Sequence, residues 1–380
     1  MSVSQYPVSK STPMHVLIAT GGTGGHVYPA LAVAEELINR GVKVSWMGTR
    51  KGMEAKIVSS KSIPLYFISV TGLRGKGLVG WLFAPFKLSL AIAQAVLIVI
   101  NQKPNVVLGM GGFVSGPGGI ASWLLRKPLV IHEQNTIAGM TNKMLANFAT
   151  HVAQAFPHTF KEKINAIHVG NPIRQDIENI PSAKERFSKR EDKEIHVLVL
   201  GGSLGATALN EYLPQVFKTV QKSCLISIVH QTGLKHLNTA KAFYKNASIN
   251  ANVVDYIEDM PKLYSWADIV VCRSGALTVS ELTAAGVGAL LIPYPFAVDD
   301  HQYHNAMYLV NGHAAIVARQ SEMQSNDFVK LLENLICNGR DKLLAMAESA
   351  RLLSMPNAAS QVADLCCNLI TDSEQGEVHV

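Results

Sequence analysis

Cys272-Arg273-Ser274-Gly275-Ala276-Leu277-Thr278-Val279-Ser280-Glu281-Leu282-Thr283-Ala284-Ala285-Gly286 follows directly on the run Ala267-Asp268-Ile269-Val270-Val271. The run is short, apolar and β-branched, as a strand buried in a parallel sheet must be. Ser274-Gly275 signals a turn, Ala276 to Ala285 reads as a helix, and Gly286 ends it. A strand that enters a helix through a small-residue turn leaves backbone N–H groups and the positive end of the helix dipole facing a cleft, where a diphosphate can sit. One turn further in, Glu281 is placed to accept hydrogen bonds from vicinal sugar hydroxyls. An ordinary connection with a solvated glutamate fits this stretch equally well, so other loops must decide.

Those loops recur along the chain. Met14 to Ala19 is a first strand, followed at once by Thr20-Gly21-Gly22-Thr23-Gly24-Gly25-His26. The next helix has Pro29 in its first turn, an apolar stripe of Ala30, Ala34, Leu37 and Ile38, and a stop at Gly41. Val42 to Met47 returns as a strand. A β-α-β unit opened by glycines invites a dinucleotide-binding reading, which requires an acidic residue at the end of the second strand. Here that position is Gly48-Thr49-Arg50-Lys51, with the first carboxylate at Glu54; Arg50 could still accept the 2′-phosphate of NADP. Val106 to Leu108 leads into a second glycine loop, Gly109 to Gly119, and Leu129 to Ile131 ends in His132-Glu133-Gln134-Asn135. Gly170-Asn171-Pro172-Ile173-Arg174 breaks the pattern, and the charged stretch Gln175 to Glu194 marks a domain boundary. A second series then opens with Ile195 to Leu200 and Gly201-Gly202-Ser203-Leu204-Gly205-Ala206, and continues through strands at 225–230, 252–255, 269–271 and 289–292. Ligands of open α/β sheets bind outside the carboxyl ends of the strands, so these loops should gather on one edge of each sheet. The expected fold is α/β, two doubly wound halves facing across a cleft.

Composition sets bounds. The 380 residues suggest two domains, and 48% hydrophobic against 16% charged residues exclude a mostly disordered chain. Five cysteines, an odd number with no Cys-x-x-Cys pair, favour a reducing compartment over a disulfide framework or zinc site. Met1 to Pro13 is polar and reads as a loose tail without the apolar core of a signal peptide. A net charge of +6 suits an anionic ligand or an anionic membrane surface, and nothing indicates a nucleic-acid partner. After Lys87 the apolar run lasts about 13 residues, short of the roughly 20 needed to span a bilayer, and reads as a helix buried against the sheet. Just before it, Trp81, Leu82, Phe83 and Phe86 lie among Arg74, Lys76 and Lys87. That mixture suits dipping into an anionic membrane interface, although a core helix beside an incidental basic loop would read the same way.

Taken together and in order, Gly21 to His26, Leu108 to Gly118, His132 to Asn135, Gly170 to Pro172, Gly201 to Ala206 and Cys272 to Glu281 resemble the MurG family of GT-B glycosyltransferases. The resemblance implies two Rossmann-like domains. Residues 1–172 would hold the lipid I acceptor and meet the membrane, 173–354 would hold UDP-GlcNAc, and 355–380 would form a helix returning to the N-terminal domain. It implies inverting transfer of N-acetylglucosamine to the C4 hydroxyl of lipid I in peptidoglycan synthesis, peripherally at the cytoplasmic face of the bacterial inner membrane. No cofactor is implied, and other cell-wall synthesis proteins are conceivable partners. Carried over by position, the donor-binding residues are Thr23, Gly24, Gly25, Asn135, Arg174, Ser203, Ile257, Ala276, Leu277, Thr278, Val279, Ser280, Glu281 and Gln302. In family terms the Ile257 backbone reads uracil, Glu281 holds the ribose hydroxyls, Ser203 touches the diphosphate, and Asn135 and Gln302 hold the sugar. Tyr294 to His301 is one residue longer than the enterobacterial pattern.

An in-line displacement at the anomeric carbon needs a base for the attacking hydroxyl and stabilisation of the leaving diphosphate. His26, at a helix start where the dipole disfavours imidazolium, is the candidate base. Its alternative is a loop-ordering role, with Glu133 next in line as base. No Asp-x-Asp triplet offers a metal clamp. Two other functions fit the loops: a UDP-sugar 2-epimerase of the same architecture, and a non-catalytic, nucleotide-dependent membrane-binding protein.

Overall fold

The computed structural model describes residues 14–70, 83–202 and 205–376. The tail Met1 to Pro13, Arg74, Lys76, Trp81, Leu82 and Ser203 lie outside the described residues. Among the latter, β1 (His15–Ala19), β2 (Lys43–Gly48), β3 (Leu65–Phe67), β4 (Val106–Gly109), β5 (Leu129–Glu133), β6 (His151–Gln154) and β7 (Ile167–His168) form one sheet. A second contains β8 (Ile195–Leu200), β9 (Ile226–Gln231), β10 (Asn252–Val254), β11 (Ile269–Cys272), β12 (Gly288–Leu291) and β13 (Ala315–Val317). Every pairing is parallel. The orders are 3-2-1-4-5-6-7 and 10-9-8-11-12-13, so the second sheet repeats the winding of the first. Helices cover both faces of such sheets, which is why β1, β8 and β11 are buried along their whole length and read as largely apolar runs, broken only by His15 and His196. Winding reverses between β1 and β4 and between β8 and β11, and ligands of this fold settle at those two points.

The first helix differs in register from the sequence reading. It spans Gly24–Asn39, because the Thr23 carbonyl accepts from the N–H groups of His26 at 3.1 Å and Val27 at 3.2 Å and so closes a turn ahead of Pro29. Ile38, assigned to its apolar stripe, is 45% exposed. The expected helix from Ala276 to Ala285 is present with those bounds, and Gly286 takes the left-handed conformation at φ 60° that ends it.

Two expectations are corrected. The apolar run after Lys87 belongs to a helix, Ala84–Gln102, that is long and apolar enough to cross a membrane by length and composition. It is buried along one stripe alone: Ala84, Ala91, Ala95 and Val99 are covered, Ala95 and Val99 in the same core as Leu17, Met47 and Val107 of the sheet, and Phe86, Leu88, Leu90, Leu97 and Ile100 stand exposed. Small residues spaced by four or more make one narrow contact stripe, which seats the helix beside its neighbour Gly112–Leu124 and leaves the large side chains outside. The cysteines are not all free either. Cys224 and Cys337 are joined by a disulfide, 113 positions apart, because the helices Thr207–Val220 and Asn326–Ile336 that precede them pack together.

The last helix, Ala358–Gly376, lies on the first one. Val362, Ala363, Cys366 and Ile370 enter the same core as Val16, Ile18, Ala34 and Leu37, and Arg40 Nη1 lies 2.5 Å from Asp364 Oδ1.

Candidate active site

At the reversal point of the second sheet, β11 hands over to the Ala276–Ala285 helix through Arg273 to Gly275. Arg273 fixes this turn by donating to the carbonyls of Ile292 at 3.0 Å and Pro293 at 3.2 Å. Ala276, Leu277 and Thr278 occupy the first turn, whose N–H groups have no carbonyl four residues back within the helix. Val279 N–H is already donated to the Gly275 carbonyl, and its side chain is buried in the core. Glu281 is partly buried, and its Oε2 accepts from the Tyr264 hydroxyl at 2.9 Å. Desolvation pushes its carboxyl up to about 6, against the opposing pull of that hydroxyl and of nearby Arg174. Arg174 is exposed, just ahead of the short helix Gln175–Glu178. Ile257 donates its N–H to Gln231 Oε1 at 3.1 Å, and Gln302 Oε1 accepts from Tyr294 N–H at 2.9 Å.

The reversal point of the first sheet is built around two glycine loops. Glu54, fully buried, accepts from Gly22 N–H at 3.1 Å and from the N–H and hydroxyl of Thr49, both at 2.8 Å. A carboxylate thus occupies the place where a dinucleotide's pyrophosphate would need a donor, and Arg50 stacks over Phe67 at 4.9 Å. The NADP reading loses its site. Gly111 must be glycine: its φ is +82°, and a Cβ would run into the His26 ring. His26 Nδ1 lies 2.9 Å from Gln134 Oε1. Glu133 is 2% exposed and accepts from the N–H of Asn135 and Gly139, both at 3.0 Å, and from the side-chain amide of Asn142 at 2.9 Å. It is a clamp for its own loop, and its lone pairs are committed.

Among the described residues, Asn171, Asn305 and Phe156 help to tie the halves together. Asn171 donates to Ser280 Oγ and to the Gln134 carbonyl, each at 3.0 Å. Asn305 Oδ1 accepts from Thr136 N–H at 3.0 Å and its hydroxyl at 2.8 Å, while its amide group donates to Asn135 Oδ1 at 3.3 Å. Phe156 meets Tyr308 edge to face at 4.9 Å. The first helix also touches the Ala276–Ala285 helix. Thr23, Gly24, Gly25, His26 and Asn135 thus belong to the first half and Arg174, Ile257, Ala276 to Glu281 and Gln302 to the second, and these contacts bring the two halves together. Phe83 and Phe86 lie apart, on the Ala84–Gln102 helix and the residue before it.

Sequence reasoning missed Tyr264, Glu54, Gln134 and Asn305. Gln134 and Glu54 were visible as members of quoted stretches but were given no role there, and Asn305 lies three residues after Gln302 on the helix His301–Asn311 and so on the same face.

Comparison with known proteins adds an independent line. Residues 16–154 match the Glycosyltransferase family 28 N-terminal domain and residues 196–362 its C-terminal domain. The UDP-N-acetylglucosamine–N-acetylmuramyl-(pentapeptide) pyrophosphoryl-undecaprenol N-acetylglucosamine transferase of Nitrosococcus oceani is 48% identical over 93% of this chain and 98% of its own. The crystal structure of Acinetobacter baumannii MurG superposes with a TM-score of 0.82 at 40% identity, covering 94% of this chain and all of that one. A UDP-N-acetylglucosamine 2-epimerase gives a TM-score of 0.62 at 12% identity over 93% of this chain and 95% of its own, a likeness of fold alone.

Proposed function

The chain belongs to the MurG family of GT-B glycosyltransferases, and from that premise we propose that it transfers N-acetylglucosamine from UDP-GlcNAc to the C4 hydroxyl of the MurNAc residue of lipid I, with inversion, giving lipid II. The observation that carries this reading is the contact between the first helix, whose opening turn bears the half-buried His26, and the Ala276–Ala285 helix, which bears the half-buried carboxylate of Glu281.

In this reading UDP lies along the Ala276–Ala285 helix. Each carboxylate oxygen has two lone pairs, so Glu281 can hold Tyr264 and still accept from both ribose hydroxyls. The Ile257 carbonyl remains for uracil, since its N–H serves Gln231. The N–H groups of Ala276 to Thr278, the positive end of the helix dipole, Ser203 and Arg174 meet the diphosphate. Asn135 and Gln302, with Thr23 to Gly25, enclose the sugar. The C4 hydroxyl loses its proton to His26 as its oxygen bonds to the anomeric carbon, and the bond to the diphosphate oxygen breaks with its electron pair leaving on UDP.

The acceptor's polyprenyl chain stays in the bilayer, so the enzyme must come to it. Phe83 and Phe86, 52% and 72% exposed, are followed on the same helix by exposed Leu88, Leu90 and Leu97, and its neighbour Gly112–Leu124 exposes Trp123 and Leu124, Trp123 meeting the exposed Phe148 at 5.3 Å. Lys87, Arg126 and Lys143, within five positions of these apolar residues in the chain, are exposed as well. A patch of this kind suits peripheral docking on anionic lipid at the cytoplasmic face of the inner membrane.

Incubation with radiolabelled UDP-GlcNAc and a lipid I analogue should yield a labelled disaccharide lipid. Donor binding without transfer would refute the reading, and conversion of the nucleotide sugar to its 2-epimer would put the epimerase in its place.

A further inference from the structure

Gln134 lies between two histidines, and the groups around it admit one orientation of its amide. His132 is fully buried, with Nε2 at 2.9 Å from the Gly170 carbonyl oxygen. A carbonyl only accepts, so Nε2 carries the proton. Burial holds the His132 pKa down to about 4, so the ring takes no second proton near neutrality and its Nδ1 is an acceptor. Gln134 Nε2 lies 3.2 Å from that nitrogen and 3.1 Å from the Met110 carbonyl oxygen. Two acceptors on one side fix the NH2 group there and turn Oε1 toward His26 Nδ1, 2.9 Å away. An amide oxygen cannot donate, so the proton of that bond belongs to His26. In neutral His26 the lone pair is then on Nε2.

We propose that Gln134 is a positioning residue that holds His26 in its Nδ1–H tautomer and so makes Nε2 the basic atom of the site. The proposal rests on the reading of His26 as base, and its test separates the two. Nitrogen-15 histidine spectra of the whole protein report the tautomer of each ring, and the His26 signals are those absent from His26→Ala. The native protein should show His26 protonated on Nδ1; protonation on Nε2 overturns the proposal without any variant. Gln134→Met, of similar length but with no acceptor, should move His26 to the Nε2–H form and lower kcat by about 10- to 100-fold with donor affinity unchanged. An unchanged tautomer in Gln134→Met sinks the proposal. A changed tautomer with full turnover upholds Gln134 as the residue that sets it and removes His26 as base.

Discussion

Tyr264→Phe removes one hydroxyl from a fully buried ring and nothing else, which makes it a clean probe of the donor site. The phenol's own pKa is raised well above its ordinary value by burial and by Glu281, so it is a donor throughout the neutral range. Its bond to Glu281 favours the carboxylate, whose pKa is already up at about 6. A hydrogen bond to a charged group is worth about 1.5 kcal/mol at the low end, or about one pKa unit, so the variant's Glu281 should titrate near about 7. Only the carboxylate accepts from both ribose hydroxyls, and the apparent Kd therefore scales as one plus the ratio of protonated to ionised Glu281. At pH 8 that factor is close to one for both proteins. At pH 6 it is about 2 for the parent and about 11 for the variant, a loss of roughly five-fold. Calorimetric titration with UDP-GlcNAc at the two pH values reads the difference directly, because other titrating groups are common to both proteins. A loss of equal size at pH 6 and pH 8, or none at pH 6, would refute the coupling and leave Tyr264 a packing residue.

Four further outcomes are expected. His26→Ala should lower kcat by about 10²–10⁴, with the donor Kd nearly unchanged; a proportionate loss of donor binding would make His26 a binding residue instead. Glu281→Gln should stabilise the ligand-free protein: the folded pKa of about 6 lies above the ordinary value of 4.5, so the carboxylate costs stability that appears as pH rises between the two. Thermal melts should show a gain of up to about 2 kcal/mol at pH 8 and none at pH 4, and a gain at both would point elsewhere. Phe83→Glu with Phe86→Glu should abolish sedimentation with anionic vesicles and spare transfer to a soluble short-chain acceptor, whereas persistent sedimentation would exclude this patch. Denatured without reductant, the chain should titrate three thiols, Cys272, Cys366 and Cys367, and a count of five would deny the Cys224–Cys337 bond.

What the sequence discloses here is whatever is local. The turn from β11 into its helix could be read because a strand buried on both faces, a pair of small residues and a C-terminal glycine are all consecutive. Glu281 was found with it. Its partner was not: Tyr264 sits seventeen positions earlier on a different helix, and no periodicity links them. Gln134 is 108 positions from the histidine it meets. The Ala84–Gln102 helix was misjudged for a different reason. Its large apolar residues were counted as core, while its packing face is the stripe Ala91, Ala95 and Val99, whose four-residue spacing was there to be read. The cysteines show the limit of counting, since an odd total says nothing of which two helix ends lie side by side.

The return of the last helix to the first half means that the chain passes between the halves twice. Val169 lies in the first core and Ile173 in the second; Ala350 is still in the second and Val362 is back in the first. The two passages run side by side, since a Cβ on Gly170 would strike the Met355 side chain. A single strand is a swivel, free to turn about its own length. Two adjacent strands form a hinge, with one easy axis running from one strand to the other. A rotation about that axis would carry the half that bears His26 away from the half that bears the Ala276–Ala285 helix and back along the same path, once the Asn171–Ser280 and Asn305–Asn135 bonds were broken. The last helix, packed on the first, is thus the second of the two attachments that restrict how the halves can move against each other.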